Sequence, residues 1–165
     1  MIAKSDLLKW LHGMDKRLNK KITIVAVGGT AMTLLGLKPS TIDVDLCINS
    51  KDKKDFEKVL NKKFKVDIFT DGFIFSEQLP PNYIEMSKEI LELKNIKLKA
   101  LSPADIAITK AARLNARDEE DIGALAKYIK KEELMKRFHE VVGTYAGDEK
   151  AYRYNFEVVL KRFFK

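Results

Sequence analysis

Three acidic residues stand where acids are out of place. Asp43 and Asp45 lie in Ile42-Asp43-Val44-Asp45-Leu46-Cys47-Ile48, and Asp67 lies in Val66-Asp67-Ile68-Phe69. Both segments read as strands. Side chains two apart on a strand leave from the same face, so Asp43 and Asp45 project together, with Cys47 after them and Ile42, Val44, Leu46 and Ile48 opposite. Adjacent carboxylates repel, and burying one without a partner is costly. A divalent cation relieves both problems. If the Asp67 strand pairs beside the first, three carboxylates converge, a set suited to two Mg²⁺ ions completed by water and triphosphate oxygens, with Mn²⁺ as a substitute. Two such ions about 4 Å apart activate an attacking hydroxyl and steady a departing pyrophosphate. The plainer alternatives are an exposed strand face for Asp43 and Asp45 and a solvated strand end for Asp67.

Two further groups fit the same chemistry. Gly28-Gly29 falls between an apolar strand and a short helix, where backbone N–H groups can approach a phosphate, and Thr30 adds a hydroxyl. A plain tight turn explains most such glycine pairs. Lys110 and Arg113 lie one turn apart on a later helix, and a lysine facing the cleft would bind triphosphate. The alternatives are a solvated helix face or an ion pair, and structural pairing is the preferred reading for Arg113, Arg117, Asp118 and Asp121.

These residues need elements to hold them. An apolar stripe of Leu7, Leu8, Leu11, Met14 and Leu18 predicts a helix over 5–19 capped by Ser5. A β-branched run predicts a strand over 22–27, then a short helix over 30–35 stopped by Gly36 and Pro39. The acidic strand covers 42–48, a helix 51–62, and the Asp67 strand 64–69. Residues 73–75 read as a short edge strand, and 90–93 with 96–98 as a hairpin around Lys94-Asn95. From Ser102-Pro103, an N-cap followed by proline, the pattern turns helical: 103–115, a helix to 129 capped by Asp118, then 131–142 and 148–163. The expected division is 1–100 as a mixed α/β core and 101–165 as a helical region packed on it.

Composition sets the outer bounds. The chain has 165 residues and a formal net charge of +7, which leaves RNA or a nucleoside triphosphate open as a polyanionic partner. A lone Cys47 excludes an internal disulfide and a cysteine-based zinc site, and His12 and His139 are far apart. The longest uncharged run, 22–37, is too short to cross a membrane and is broken by glycines. A cytoplasmic protein without a membrane role is expected, either a monomer or a homodimer joined through its aromatic-rich end.

The order of strand, Gly28-Gly29, thirteen residues, Asp43-Val44-Asp45-Leu46 and a later Val66-Asp67-Ile68 resembles the nucleotidyltransferase superfamily related to DNA polymerase β. The run Leu101-Ser102-Pro103-Ala104-Asp105, then Lys110-Ala111-Ala112-Arg113, then Arg117-Asp118-Glu119-Glu120-Asp121-Ile122 resembles a narrower branch. That branch holds small stand-alone nucleotidyltransferase-like proteins and abortive-infection toxins of toxin–antitoxin pairs. The resemblance implies an α/β (α+β) nucleotidyltransferase-type mixed sheet flanked by helices, followed by a C-terminal helical bundle. It implies Mg²⁺ held by Asp43, Asp45 and Asp67, and triphosphate taken by Gly28 and Gly29, with Lys110 near the phosphates. Ser40 and Thr41 match the small hydroxyl residue these relatives carry before the acids. Many relatives have a basic residue four before the first acid, where this chain has Pro39 beside Lys38. The implied activity is transfer of a nucleoside monophosphate from an NTP to a hydroxyl of RNA such as tRNA, of a protein or of a small molecule; for the toxin branch, an antitoxin protein is the implied partner. The competing reading keeps the fold without the chemistry, as a nucleotide- or RNA-binding module.

Overall fold

β-branched and aliphatic residues make the central strands, and alternation decides which way each faces. The computed structural model describes residues 1–165 and shows the expected mixed α/β architecture. The chain falls into two units: Met1–Asp71 with Ile84–Leu101, and Gly72–Tyr83 with Ser102–Lys165.

The first unit opens with β1 (Ile2–Ala3), α1 (Lys4–Asp15), β2 (Ile22–Ala26), α2 (Gly28–Leu34) and β3 (Ser40–Thr41). It continues with β4 (Val44–Ile48), a 3-10 turn at Ser50–Asp52, α3 (Lys53–Val59) and β5 (Val66–Thr70). The chain then leaves for β6 (Phe73–Ile74) and β7 (Glu77–Gln78). After the short helix α4 (Tyr83–Met86), the first unit closes with β8 (Lys88–Glu92) and β9 (Ile96–Ala100).

Within this unit the strands run in the order β5, β4, β2, β9, β8. The β4–β5 and β2–β9 pairs are parallel, and β2–β4 and β8–β9 are antiparallel. Ile24 registers with Ile48 and Leu98, and Ala26 with Leu46 and Ala100, so one face is a continuous buried apolar surface. Helix α1 buries Leu7, Trp10, Leu11 and Met14, and the Trp10 indole N–H donates to Asn61 O at 2.9 Å. The β8–β9 turn is fixed by Asp15, whose Oδ1 accepts from the backbone N–H groups of Asn95 and Ile96, each at 2.8 Å.

The second unit contains the β6–β7 hairpin and four helices, α5 (Pro103–Arg113), α6 (Ala116–Ala126), α7 (Lys131–Val142) and α8 (Glu149–Phe163). Ser102 caps α5 by accepting from the Asp105 N–H at 3.2 Å, with Pro103 at the first helical position. Phe138 of α7 stacks on Phe156 of α8 at 3.8 Å and meets Tyr152 edge-on at 4.9 Å.

Several expectations need correction. Helix α1 ends at Asp15, is entered from Ala3 instead of capped by Ser5, and follows a strand, β1, that pairs with β3. The helix over 51–62 is shorter, α3 closing at Val59. Asp118 does not cap α6: Asn115 does, accepting from the Asp118 N–H at 2.8 Å, while the Asp118 carboxylate accepts from the Asn115 N–H at 3.1 Å. The segment 72–83 clusters with the C-terminal helices. Long-range bonds hold it there: Ala146 N–H donates to Ser76 O at 3.0 Å, and Arg137 donates to Asn82 Oδ1 at 2.6 Å.

Candidate functional site

The site begins where β2 gives way to α2. The Val27 N–H donates to Asp45 O at 3.1 Å, carrying the β2–β4 pairing one residue past the strand. Gly28 then turns at φ +56, a left-handed conformation that a side chain would strain. At Gly29 an added Cβ would stand 3.1 Å from the Thr41 hydroxyl, so a side chain here would press on β3.

Thr30 fastens this turn to the acidic strand. Its hydroxyl donates to Asp43 O at 3.1 Å and accepts from the Asp45 N–H at 3.0 Å. The Thr41 hydroxyl also donates to Asp43 O, at 2.9 Å. Thr30 is 1% exposed. Its only proton is already donated within the fold, so the hydroxyl expected to reach a phosphate acts as a clamp. Thr41 is buried in the same clamp, and Ser40 is half-buried in β3, registered with Ala3.

Asp43, its carbonyl accepting from both threonines, lies just outside the strand. Residues 42–43 form a bend and β4 starts at Val44, so the expected strand over 42–48 begins two residues late and Ile42 stands 58% exposed. Asp43 and Asp45 therefore do not share a regular strand face by alternation. The parallel β4–β5 register instead places Asp45 directly beside Asp67. Adjacent strands lie about 4.8 Å apart and registered residues share a face, so these two carboxylates are neighbours. Asp45 is half-buried and Asp67 exposed, while Asp43 is half-buried just ahead of the pair. No three His, Cys, Asp or Glu side chains are gathered as a metal-holding group; of the three acids expected to converge, Asp45 and Asp67 are registered side by side.

One step further along the same face, Phe69, Cys47, Val25 and Lys99 follow in register. Cys47 and Val25 are buried, and the Lys99 ammonium donates to Ile84 O at 2.8 Å. The acids thus sit at the polar end of an otherwise largely apolar face.

Lys110 lies in the other unit, on α5. Its ammonium is 2.9 Å from Asp121 Oδ2 and 3.8 Å from Asp118 Oδ1, and its side chain is 11% exposed. The Arg113 guanidinium grips Asp118 with a fork, Nε to Oδ2 at 2.7 Å and Nη2 to Oδ1 at 2.8 Å. Burial alone would raise the Asp118 pKa, but the hydrogen bonds from Arg113 and Asn115 and the charges of Arg113 and Lys110 outweigh it and hold it below the usual range. The structural pairing expected for Arg113, Asp118 and Asp121 is present, whereas Arg117 is exposed and joins no ion pair. Lys110, expected at the phosphates, is held by the same carboxylates, and a phosphate would have to displace Asp121.

Sequence reasoning passed over two features. One is Lys65, exposed, whose carbonyl accepts from the Val44 N–H at 3.0 Å where the β4–β5 pairing begins. Its spacing of two from Asp67 was the available signal. The other is a buried polar cluster in the second unit around Glu77, Asp105, Arg137 and Tyr152. Nothing in the local pattern around Glu77 marks its burial.

The family of nucleotidyltransferases of unknown function (DUF6036) matches residues 5–164. The chain belongs to this family. No curated protein matches it.

Proposed function

We propose that the protein transfers a nucleoside monophosphate from an NTP to an acceptor hydroxyl, with magnesium. The observation that carries this reading is the register of Asp45 beside Asp67, on a strand to which Thr30 clamps the glycine turn.

The donor set fits the ion. Carboxylate oxygens are the hard ligands Mg²⁺ prefers, and it commonly takes one or two of them with substrate phosphates and water completing the shell. Asp45 and Asp67 would hold it, with Asp43 adjoining. Once bound, the ion would supply neutralisation of phosphate charge and a more acidic acceptor hydroxyl. The glycine turn at Gly28 and Gly29 is where the triphosphate would be received, by backbone N–H groups. Asp67, the more exposed acid, lies where an acceptor can reach it and takes the hydroxyl proton. The acceptor oxygen bonds to the α-phosphorus, the bond to the β-phosphate oxygen breaks, and pyrophosphate leaves. Thr30 acts by keeping the acids and the turn in one geometry, which in-line displacement demands. A toxin held by an antitoxin is the narrower form of this activity.

The test is incorporation of label from each α-labelled NTP, with Mg²⁺ and cell extract, into RNA, protein or metabolite. Label should appear in one fraction and fall by about a hundredfold or more in Asp45→Asn. Tight binding of Mg²⁺·NTP without any transfer would instead establish a binding module of the same fold.

A further inference from the structure

The positive charge of this protein is unevenly placed. Of the formal +7, +6 belongs to the unit formed by Met1–Asp71 and Ile84–Leu101, which holds 18 Lys and Arg against 12 Asp and Glu. Within that unit, no acid occurs between Glu57 and Asp67, while Lys58, Lys62, Lys63 and Lys65 are all exposed and join no ion pair. Of the acids of α3 and its leading turn, Asp52 and Asp55 both take Lys20, at 2.7 and 3.1 Å, which leaves Glu57 as the one exposed acid beside the lysines.

This basic loop is held in place. The Trp10 indole donates to Asn61 O at 2.9 Å, the Asn61 N–H meets Met14 Sδ at 3.4 Å, and Arg17 donates to Val59 O at 3.3 Å. Phe64 packs against Trp10 with ring centroids 5.7 Å apart, leaving the flanking lysines outward. The loop then runs directly into β5, with Lys65 two residues before Asp67.

We propose that the α3–β5 loop, through Lys62, Lys63 and Lys65, is the docking track for the phosphodiester backbone of a nucleic-acid acceptor. The proposal rests on the transferase reading of Asp45 and Asp67 and narrows its acceptor from any hydroxyl to a polyanionic strand. Uncompensated lysines in a row bind phosphates by releasing the strand's counterions, which gives affinity without base sequence. A membrane would call for apolar side chains turned outward, and the loop turns its aromatic ring in against Trp10.

The experiment measures binding of a short labelled RNA, and of DNA of the same sequence, by fluorescence anisotropy over a range of salt. Lys62→Ser/Lys63→Ser/Lys65→Ser is compared with Lys127→Ser/Lys130→Ser/Lys131→Ser, which removes the same charge from exposed positions of the other unit. The first triple should bind at least tenfold more weakly near physiological salt, with the slope of log K against log salt reduced by roughly 2, as loss of three single-strand phosphate contacts requires. The second should change little. Unaltered thermal melting excludes a folding defect as the cause. Equal losses in both triples, no binding by the native chain, or full competition by polyglutamate would overturn the proposal. Because RNA binding is read without NTP, its failure is distinct from failure of Asp45→Asn to abolish transfer.

Discussion

Glu77 should make the stability of this protein fall as pH rises through neutrality. Its side chain is fully buried, one carboxyl oxygen, Oε1, has no hydrogen-bond partner, and Oε2 lies 2.8 Å from the Tyr152 hydroxyl. That hydroxyl is also 2.8 Å from Ile108 O. One phenolic proton cannot serve both acceptors fully. A protonated Glu77 resolves the conflict by donating to the Tyr152 oxygen and releasing the tyrosine proton to Ile108 O. Burial pushes the Glu77 pKa up to about 8 from 4.5; the Tyr152 hydrogen bond opposes this and the charge of Asp105 adds to it. The Arg137 fork on Asp105, at 2.8 and 2.7 Å, compensates Asp105 but leaves Glu77 without a cation.

Because the folded pKa is raised, the stabilisation is complete below the unfolded value near 4.5 and drains away up to about pH 8. At about 1.4 kcal/mol per pH unit the whole window is worth at most roughly 5 kcal/mol. That is a large share of the 5–15 kcal/mol typical of a domain. Urea denaturation followed by far-ultraviolet circular dichroism, which reads the helices of this unit, should show the native chain losing several kcal/mol from about pH 5 to about pH 9. Glu77→Gln should be nearly flat over that range and the more stable protein at its alkaline end. Parallel profiles for the two proteins would refute the reasoning, since the slope would then belong to other groups.

Two more outcomes follow from buried polar contacts. Asp105→Ala should cost about 3–5 kcal/mol in the same denaturation experiment, because it leaves the Arg137 guanidinium, 4% exposed, without its carboxylate. Replacing both, as Asp105→Leu with Arg137→Met, should recover most of that loss. Thr30→Val should cost about 1–3 kcal/mol by leaving the Asp45 N–H unpaired, and should lower label transfer further than this loss of stability explains, because the acids lose their tie to the glycine turn.

How much of this was legible beforehand depends on how local each cause is. The β2 strand, the Gly28-Gly29 turn and the Ser102-Pro103 start of α5 carry their signals within a few residues, and the structure has them there. The neighbouring placement of Asp45 and Asp67 needed one assumption, that their strands pair, and β4 and β5 do. Asp43 lies outside the strand in which periodicity places it; its carbonyl accepts from Thr41 and from Thr30, and periodicity does not see a partner thirteen positions earlier. Lys110 and its acids were all noticed, but sequence spacing does not say whether a lysine faces a phosphate or the next helix. The burial of Glu77 is decided by Tyr152, seventy-five residues away.

The central claim is that Asp45 and Asp67 act as one magnesium-dependent unit. The most direct measurement is the initial rate of label transfer from an α-labelled NTP by the native chain, Asp45→Asn, Asp67→Asn and the double variant, at matched folding. Each single variant should lose about a hundredfold or more, with the double no worse than the weaker single, as residues of one unit behave. Undiminished transfer in either single variant, or losses that multiply in the double, would contradict it.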